Sequence, residues 1–173
     1  MPARRNRKRR VRSRLGSTTL AAVSAWLWVC HPAVAAQRFQ ADEWITECSG
    51  KPGRAGADCS ITVPFWQPAT QDRGSFALVV MLETGNIGIV GTPPPVRAVL
   101  RVDKNQAAVC KSGRYCIFPT VQSRAVVKQL ATASLILIDV FTARSEYSFS
   151  LSPKGYQAGI EQIRAWGYES GGG

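Results

Sequence analysis

Four cysteines are the first residues whose types and spacing could do chemistry, and they lie downstream of residue 35: Cys48, Cys59, Cys110 and Cys116. Their spacing contains no C-x-x-C pair for thiol redox catalysis, and no histidine accompanies them to complete a zinc site. Three pairings are possible. We expect Cys48–Cys59 and Cys110–Cys116, because each pair encloses a short segment rich in Gly, Lys and Arg. Two such bridges are typical of an exported protein, and each is expected to stabilise the domain by about 2 to 3 kcal/mol.

Side chains for acid–base chemistry are few. His31 is the single histidine, and it lies in a segment that we expect to be removed, so neither histidine catalysis nor a metal or cofactor site is expected. Asp139 interrupts an apolar segment, where a buried unpaired carboxylate would be costly. We expect Asp139 to lie near a strand end or to pair with an arginine such as Arg97 or Arg101. The alternative makes Asp139 and Glu83 a carboxylate pair of a hydrolase or isomerase.

Basic and aromatic residues are candidates for binding. The densest basic stretch after residue 35 holds Arg97, Arg101, Lys104, Lys111 and Arg114. Such a stretch could contact anionic lipid headgroups, glycans or an acidic partner, and a plain solvated face is the alternative. Trp66, between Pro64 and Pro68, could stack on a sugar or a partner, and the alternative is core packing or loop anchoring. The candidate binding patch is therefore Arg97, Arg101, Lys111, Arg114 and Trp66.

The N-terminal segment predicts export. Eight basic residues between Arg4 and Arg14 precede a largely apolar run, Leu15 to Val29, and small residues follow at Ala33 and Ala35. This order predicts a signal peptide over residues 1–35, with cleavage near Ala35. The alternatives are an uncleaved anchor, for which the run is short, a lipoprotein cysteine at Cys30, and a nucleic-acid-binding arm. Cleavage would lower the formal charge from +11 to about +3, so nucleic-acid binding is not expected, and the export route stays open.

Residues 36–173 are expected to form one domain with mostly strands. Alternating or apolar segments predict strands at 44–48, 59–63, 76–82, 87–90, 96–102, 135–141 and 147–151. Two further arms, 107–110 and 115–118, are joined by the loop 111–114. A helical period predicts a short helix over 122–132, and Ser152 followed by Pro153 predicts the start of a C-terminal amphipathic helix. These elements predict a mainly β, immunoglobulin-like antiparallel β-sandwich with two helices and two disulfides.

Several short motifs together resemble one family. They are Trp44 ahead of Cys48, the Asp58-Cys59-Ser60-Ile61 segment, the Cys110 to Cys116 loop, the helix before a hydrophobic strand, and Ser152-Pro153-Lys154-Gly155-Tyr156 before a helix. In this combination, which covers nearly all of residues 36–173, the chain resembles the invasion-associated locus B family. The resemblance implies a periplasmic or envelope-associated bacterial protein with a β-sandwich-like domain, disulfides at these cysteines and, in some members, a link to host-cell invasion. It supplies no catalytic residues.

The function expected from these observations is non-enzymatic. We expect an exported binding or structural protein of the periplasm or cell envelope, with an envelope or host component as its partner and with no cofactor. Peripheral association with the envelope is compatible with this expectation, because residues 36–173 contain no run of about 20 apolar residues that would predict a transmembrane helix.

Overall fold

Two antiparallel β-sheets dominate the computed structural model, which describes residues 36–53, 58–66, 74–111 and 115–168. The strands are β1 Gln37–Ala41, β2 Trp44–Ser49, β3 Asp58–Trp66, β4 Ser75–Met81, β5 Asn86–Thr92, β6 Arg97–Val102, β7 Ala108–Lys111, β8 Cys116–Ile117, β9 Ile136–Phe141 and β10 Glu146–Leu151. The first sheet has the order β1-β2-β3-β4-β5-β8, and the second has the order β10-β9-β6-β7. The predicted signal peptide and its cleavage site lie outside the described residues.

Alternation along the strands builds one hydrophobic core. In β6, Ala98, Leu100 and Val102 are buried, whereas Arg97 and Arg101 are exposed, as the sequence alternation predicts. The first sheet contributes Ile61, Leu78 and Ile89 to the same core, and the second contributes Leu100, Ile138 and Val140. The sheets therefore pack face to face, which confirms the mainly β fold with two antiparallel sheets.

Both expected disulfides are present, and they connect different parts of the fold. Cys48–Cys59 joins the neighbouring strands β2 and β3, at paired positions of the first sheet. Cys110 lies on β7, which pairs with β6, whereas Cys116 lies on β8, which pairs with β5. The two arms that the sequence predicts around residues 111–114 thus belong to opposite sheets, and the Cys110–Cys116 bond connects one sheet to the other.

The helix α1, Thr120–Leu130, is fixed between the two sheets. The buried Ser123 hydroxyl donates to the Phe118 carbonyl and accepts from the Ile87 amide of β5. The side-chain oxygen of Gln122 accepts from the Val109 amide of β7. Because α1 is bonded to a strand of each sheet, its position relative to the β4–β5 turn is well defined.

The helix α2, Lys154–Ala165, packs closely on the first sheet through two glycines. A Cβ atom at Gly155 would lie 2.2 Å from the Ala41 carbonyl oxygen, and one at Gly159 would lie 2.4 Å from the Thr46 hydroxyl oxygen. The Trp44 indole N–H donates to the Ser152 carbonyl at 2.7 Å, which fixes the start of the helix. Pro153 has helical dihedral angles, and the Lys154 amide donates to the Ser152 hydroxyl oxygen at 3.5 Å, so Ser152 and Pro153 lie at the start of the helix as the sequence predicts.

The edge strand β1 has no strong signal in the sequence, because four of its five residues, QRFQA, are not large apolar residues. It forms by pairing with β2, where Arg38 lies opposite Glu47 and makes an ion pair at 3.4 Å. Within the described ranges, no helix has the length and apolar character to cross a membrane.

Candidate functional site

Three of the predicted binding residues lie on the outer side of the second sheet; we call Arg97, Arg101 and Lys111 the basic face. Arg97 and Lys111 are opposite each other in the β6–β7 register, so their side chains are neighbours on one side of the sheet. The Arg97 guanidinium carbon lies 4.9 Å from the centre of the Phe141 ring, on the strand at the other side of β6. Arg101, four residues further along β6, shares this side at a distance of about 13 Å along the strand.

Exposed leucines border the basic face. Leu137 lies opposite Arg101 in the β6–β9 register and has 36% of its surface exposed, and nearby Leu135 has 40% exposed. Large aliphatic side chains beside arginines give this end of the sheet an apolar and a cationic component. Such a combination is typical of surfaces that contact lipid headgroups.

Asp139 and Ser148 lie on the same sheet surface, with Asp139 between the register positions of Arg97 and Arg101 and in the same cavity as Arg101. Asp139 is half-buried and accepts a hydrogen bond from the Ser148 hydroxyl at 2.7 Å. Its neighbour in β6 is Val99, and among the described residues no arginine forms an ion pair with Asp139. The expected pairing with Arg97 or Arg101 is therefore not found: the serine on β10 supplies the hydrogen bond, and the carboxylate remains in contact with solvent.

Not all members of the predicted patch meet. Trp66 is 61% exposed at the end of β3, and it alternates with the buried Phe65, so it projects from the outer side of the first sheet. Since the two sheets pack through their inner faces, Trp66 and the basic face lie on opposite sides of the sandwich. Arg114 lies outside the described residues.

The two carboxylates of the enzymatic alternative also lie apart. Glu83 lines a groove beside the β4–β5 turn, whereas Asp139 lines a separate, smaller cavity of about 310 Å³ on the outer side of the second sheet. The partner of Glu83 is instead Asp58, whose hydrogen bond and negative charge raise the pKa of Glu83 above its ordinary value. In the described residues, no group of three or more His, Cys, Asp or Glu side chains is arranged to hold a metal ion.

A groove of about 680 Å³ lies beside Glu83, and we call it the helix groove. One wall is the face of α1 that carries Arg124, Val127, Lys128 and Ala131, and the other is the face of α2 that carries Tyr156, Gln157, Ile160, Glu161 and Arg164. The Gln157 side-chain amide donates to the Ala131 carbonyl at 2.8 Å and so connects the two walls. The volume of the groove is in the range of small-molecule sites, and its lining of apolar and polar side chains is typical of them.

The helix groove could not be found from the sequence. The i, i+4 spacing of Arg124 and Lys128 marks one polar side of α1, but nothing in the sequence indicates that α2 lies opposite. The Tyr156 ring packs edge-on against Trp44, with centroids 5.6 Å apart. The same residue also lines the groove. Burial raises its pKa to about 12, so the hydroxyl keeps its proton at neutral pH.

Comparisons with known proteins give no assignment, because neither a family model nor a curated protein nor a solved structure matches the chain. The surfaces of the molecule are therefore the basis for a functional proposal.

Proposed function

We propose that this protein is an exported, non-enzymatic binding protein of the invasion-associated locus B family, which associates peripherally with an anionic surface of the cell envelope. The second sheet provides the contact through the basic face and the neighbouring Leu135 and Leu137. In this proposal the fold is a rigid scaffold, and a contribution to host-cell interaction would follow from display at the envelope.

The observation that carries the proposal is the adjacency of Arg97 and Lys111 across β6 and β7, with Arg101 on the same side. Near an anionic membrane each lysine or arginine contributes about 1 kcal/mol, so three of them supply a reversible attachment. The Phe141 ring supports Arg97 and limits the conformational freedom that binding would remove. Exposed leucines beside Arg101 add apolar area at the same surface.

Two features support export to the envelope. Both pairs of cysteines are joined in disulfides, which persist in the oxidising periplasm and outside the cell. The signal-peptide pattern in residues 1–35 is consistent with this location. Against the hydrolase or isomerase alternative, Glu83 and Asp139 line different cavities and have different hydrogen-bond partners, Asp58 and Ser148 respectively.

The test is co-sedimentation of the purified protein with vesicles. We expect binding to vesicles that contain phosphatidylglycerol, no binding to vesicles of phosphatidylcholine alone, and release as the salt concentration rises. Capture of partners from envelope fractions in parallel tests a protein partner instead. Equal binding to both vesicle types, or capture of one protein partner without vesicle binding, would contradict the proposed membrane contact.

A further inference from the structure

The helix groove combines apolar side chains with cations that form no ion pair within the described part of the chain. Leu82, Val127 and Ile160 contribute apolar side chains to the lining. Arg124 and Lys128 on α1 and Arg164 on α2 lie along the same groove, and no ion pair connects them to a carboxylate of the described chain. The basic side chains can therefore meet a ligand's negative charge without first breaking an internal ion pair.

The hydroxyl of the buried residue Tyr156 supplies a second, independent observation. Tyr156 is 2% exposed, and its hydroxyl forms no hydrogen bond within the described residues. Buried tyrosine hydroxyls normally have a partner. Tyr156 lines the groove, so its O–H can donate to an acceptor held there.

Acidic residues restrict the choice of ligand. Glu83 and Glu161 also line the groove, and Asp58 forms a hydrogen bond with Glu83. The three cations exceed the two lining carboxylates by one charge, which suits a ligand with a single negative group better than a polyanion. The apolar lining suits a hydrocarbon tail.

We propose that the helix groove binds an amphiphile with one carboxylate and an aliphatic tail, a medium- or long-chain fatty acid in chemical class. Arg124 and Lys128 contact the carboxylate, Tyr156 donates a hydrogen bond to it, and Val127 and Ile160 contact the tail. The β4–β5 turn lies beside this site. A Cβ atom at Gly85, which has φ +64°, would lie 3.7 Å from Arg124 Cγ, so the aliphatic part of the arginine side chain packs against the turn. This site is separate from the basic face and does not depend on it.

The test is isothermal titration calorimetry of the purified protein with decanoate, decanol and acetate. Decanol keeps the tail without the charge, and acetate keeps the charge without the tail. We expect decanoate to bind and both others to bind at least tenfold more weakly. Decanol binding as tightly as decanoate would overturn the role of the cations, and absence of decanoate binding would overturn the proposal.

Variants then assign the binding to the groove. Arg124→Gln together with Lys128→Gln should raise the Kd for decanoate at least tenfold, and Tyr156→Phe should raise it about threefold to tenfold, because each removes a hydrogen bond to a charged group. Arg144→Gln, an exposed change in the β9–β10 turn, is the control and should leave the Kd unchanged. Unchanged Kd values for the double variant, with unchanged thermal unfolding, would overturn the site. A variant that carries Arg97→Gln, Arg101→Gln and Lys111→Gln in the basic face should still bind decanoate in the helix groove. Failure of the vesicle experiment and failure of the decanoate experiment are therefore distinguishable.

Discussion

Cys110 and Cys116 are bonded to each other although they lie on strands of different sheets, with a Cα–Cα distance of 5.5 Å. Their strands β7 and β8 lie at the edges of the second and the first sheet. A bond between two edges closes the sandwich at the side where α1 is also attached to both sheets. The Cys110–Cys116 bond therefore links the two layers.

Removal of this bond by Cys110→Ala with Cys116→Ala is expected to lower the free energy of unfolding by about 2 to 3 kcal/mol, because the unfolded chain gains conformational freedom. Denaturant unfolding of the variant and the wild type measures the difference. Non-reducing peptide mass spectrometry of the wild type provides the control for connectivity. Recovery of a peptide that links Cys48 to Cys110 or to Cys116 would contradict the pairing.

The glycines of α2 predict an unusual response to alanine. Alanine normally stabilises a helix relative to glycine by about 1 kcal/mol. At Gly155 and Gly159, however, the new Cβ would lie 2.2 Å from the Ala41 carbonyl oxygen and 2.4 Å from the Thr46 hydroxyl oxygen. We expect Gly155→Ala and Gly159→Ala each to destabilise the protein by about 1 to 3 kcal/mol in thermal or denaturant unfolding. Glu161→Ala, on an exposed position of the same helix, is the control, and a stabilising effect of either glycine variant would contradict the close packing.

Much of the fold could be predicted from local patterns, since alternation in β6 gives the buried and exposed sides correctly and the short cysteine separations give both disulfides. The edge strand β1 could not, because its residues are mostly polar and its stability comes from pairing with β2. The arms around residues 111–114 could not be assigned to separate sheets, since sheet membership depends on long-range pairing.

The candidate sites also depend on long-range contacts that local sequence patterns do not predict. Register places Arg97 beside Lys111, which the sequence suggests only as a dense basic stretch. Trp66 belongs to the predicted patch, but its strand β3 lies in the other sheet. The helix groove requires α1 and α2 to approach each other in three dimensions, and no spacing within either helix contains that information.

Tyr156 predicts a dependence of stability on alkaline pH. Burial raises its pKa to about 12 from an ordinary value of 10.0, so the unfolded chain loses this proton first as the pH rises. The stabilisation is present below pH 10.0 and is lost between there and about pH 12, with a magnitude on the order of 2 kcal/mol. Denaturant unfolding of the wild type at about pH 9 and about pH 11 should therefore show a larger decrease than unfolding of Tyr156→Phe. Equal decreases would contradict a pKa of Tyr156 that burial of the residue raises.

The central claim, attachment through the basic face, is tested most directly by the partition coefficient of two charge-matched variants on phosphatidylglycerol vesicles. One variant carries Arg97→Gln, Arg101→Gln and Lys111→Gln, and the other carries Lys51→Gln, Arg144→Gln and Lys154→Gln at exposed positions elsewhere. We expect the first to bind about 100-fold more weakly than the wild type, from about 1 kcal/mol for each lost charge. The second should stay within about threefold of the wild type, because distant charges are screened. Equal weakening of both variants would mean that net charge alone governs binding and would contradict a specific basic face.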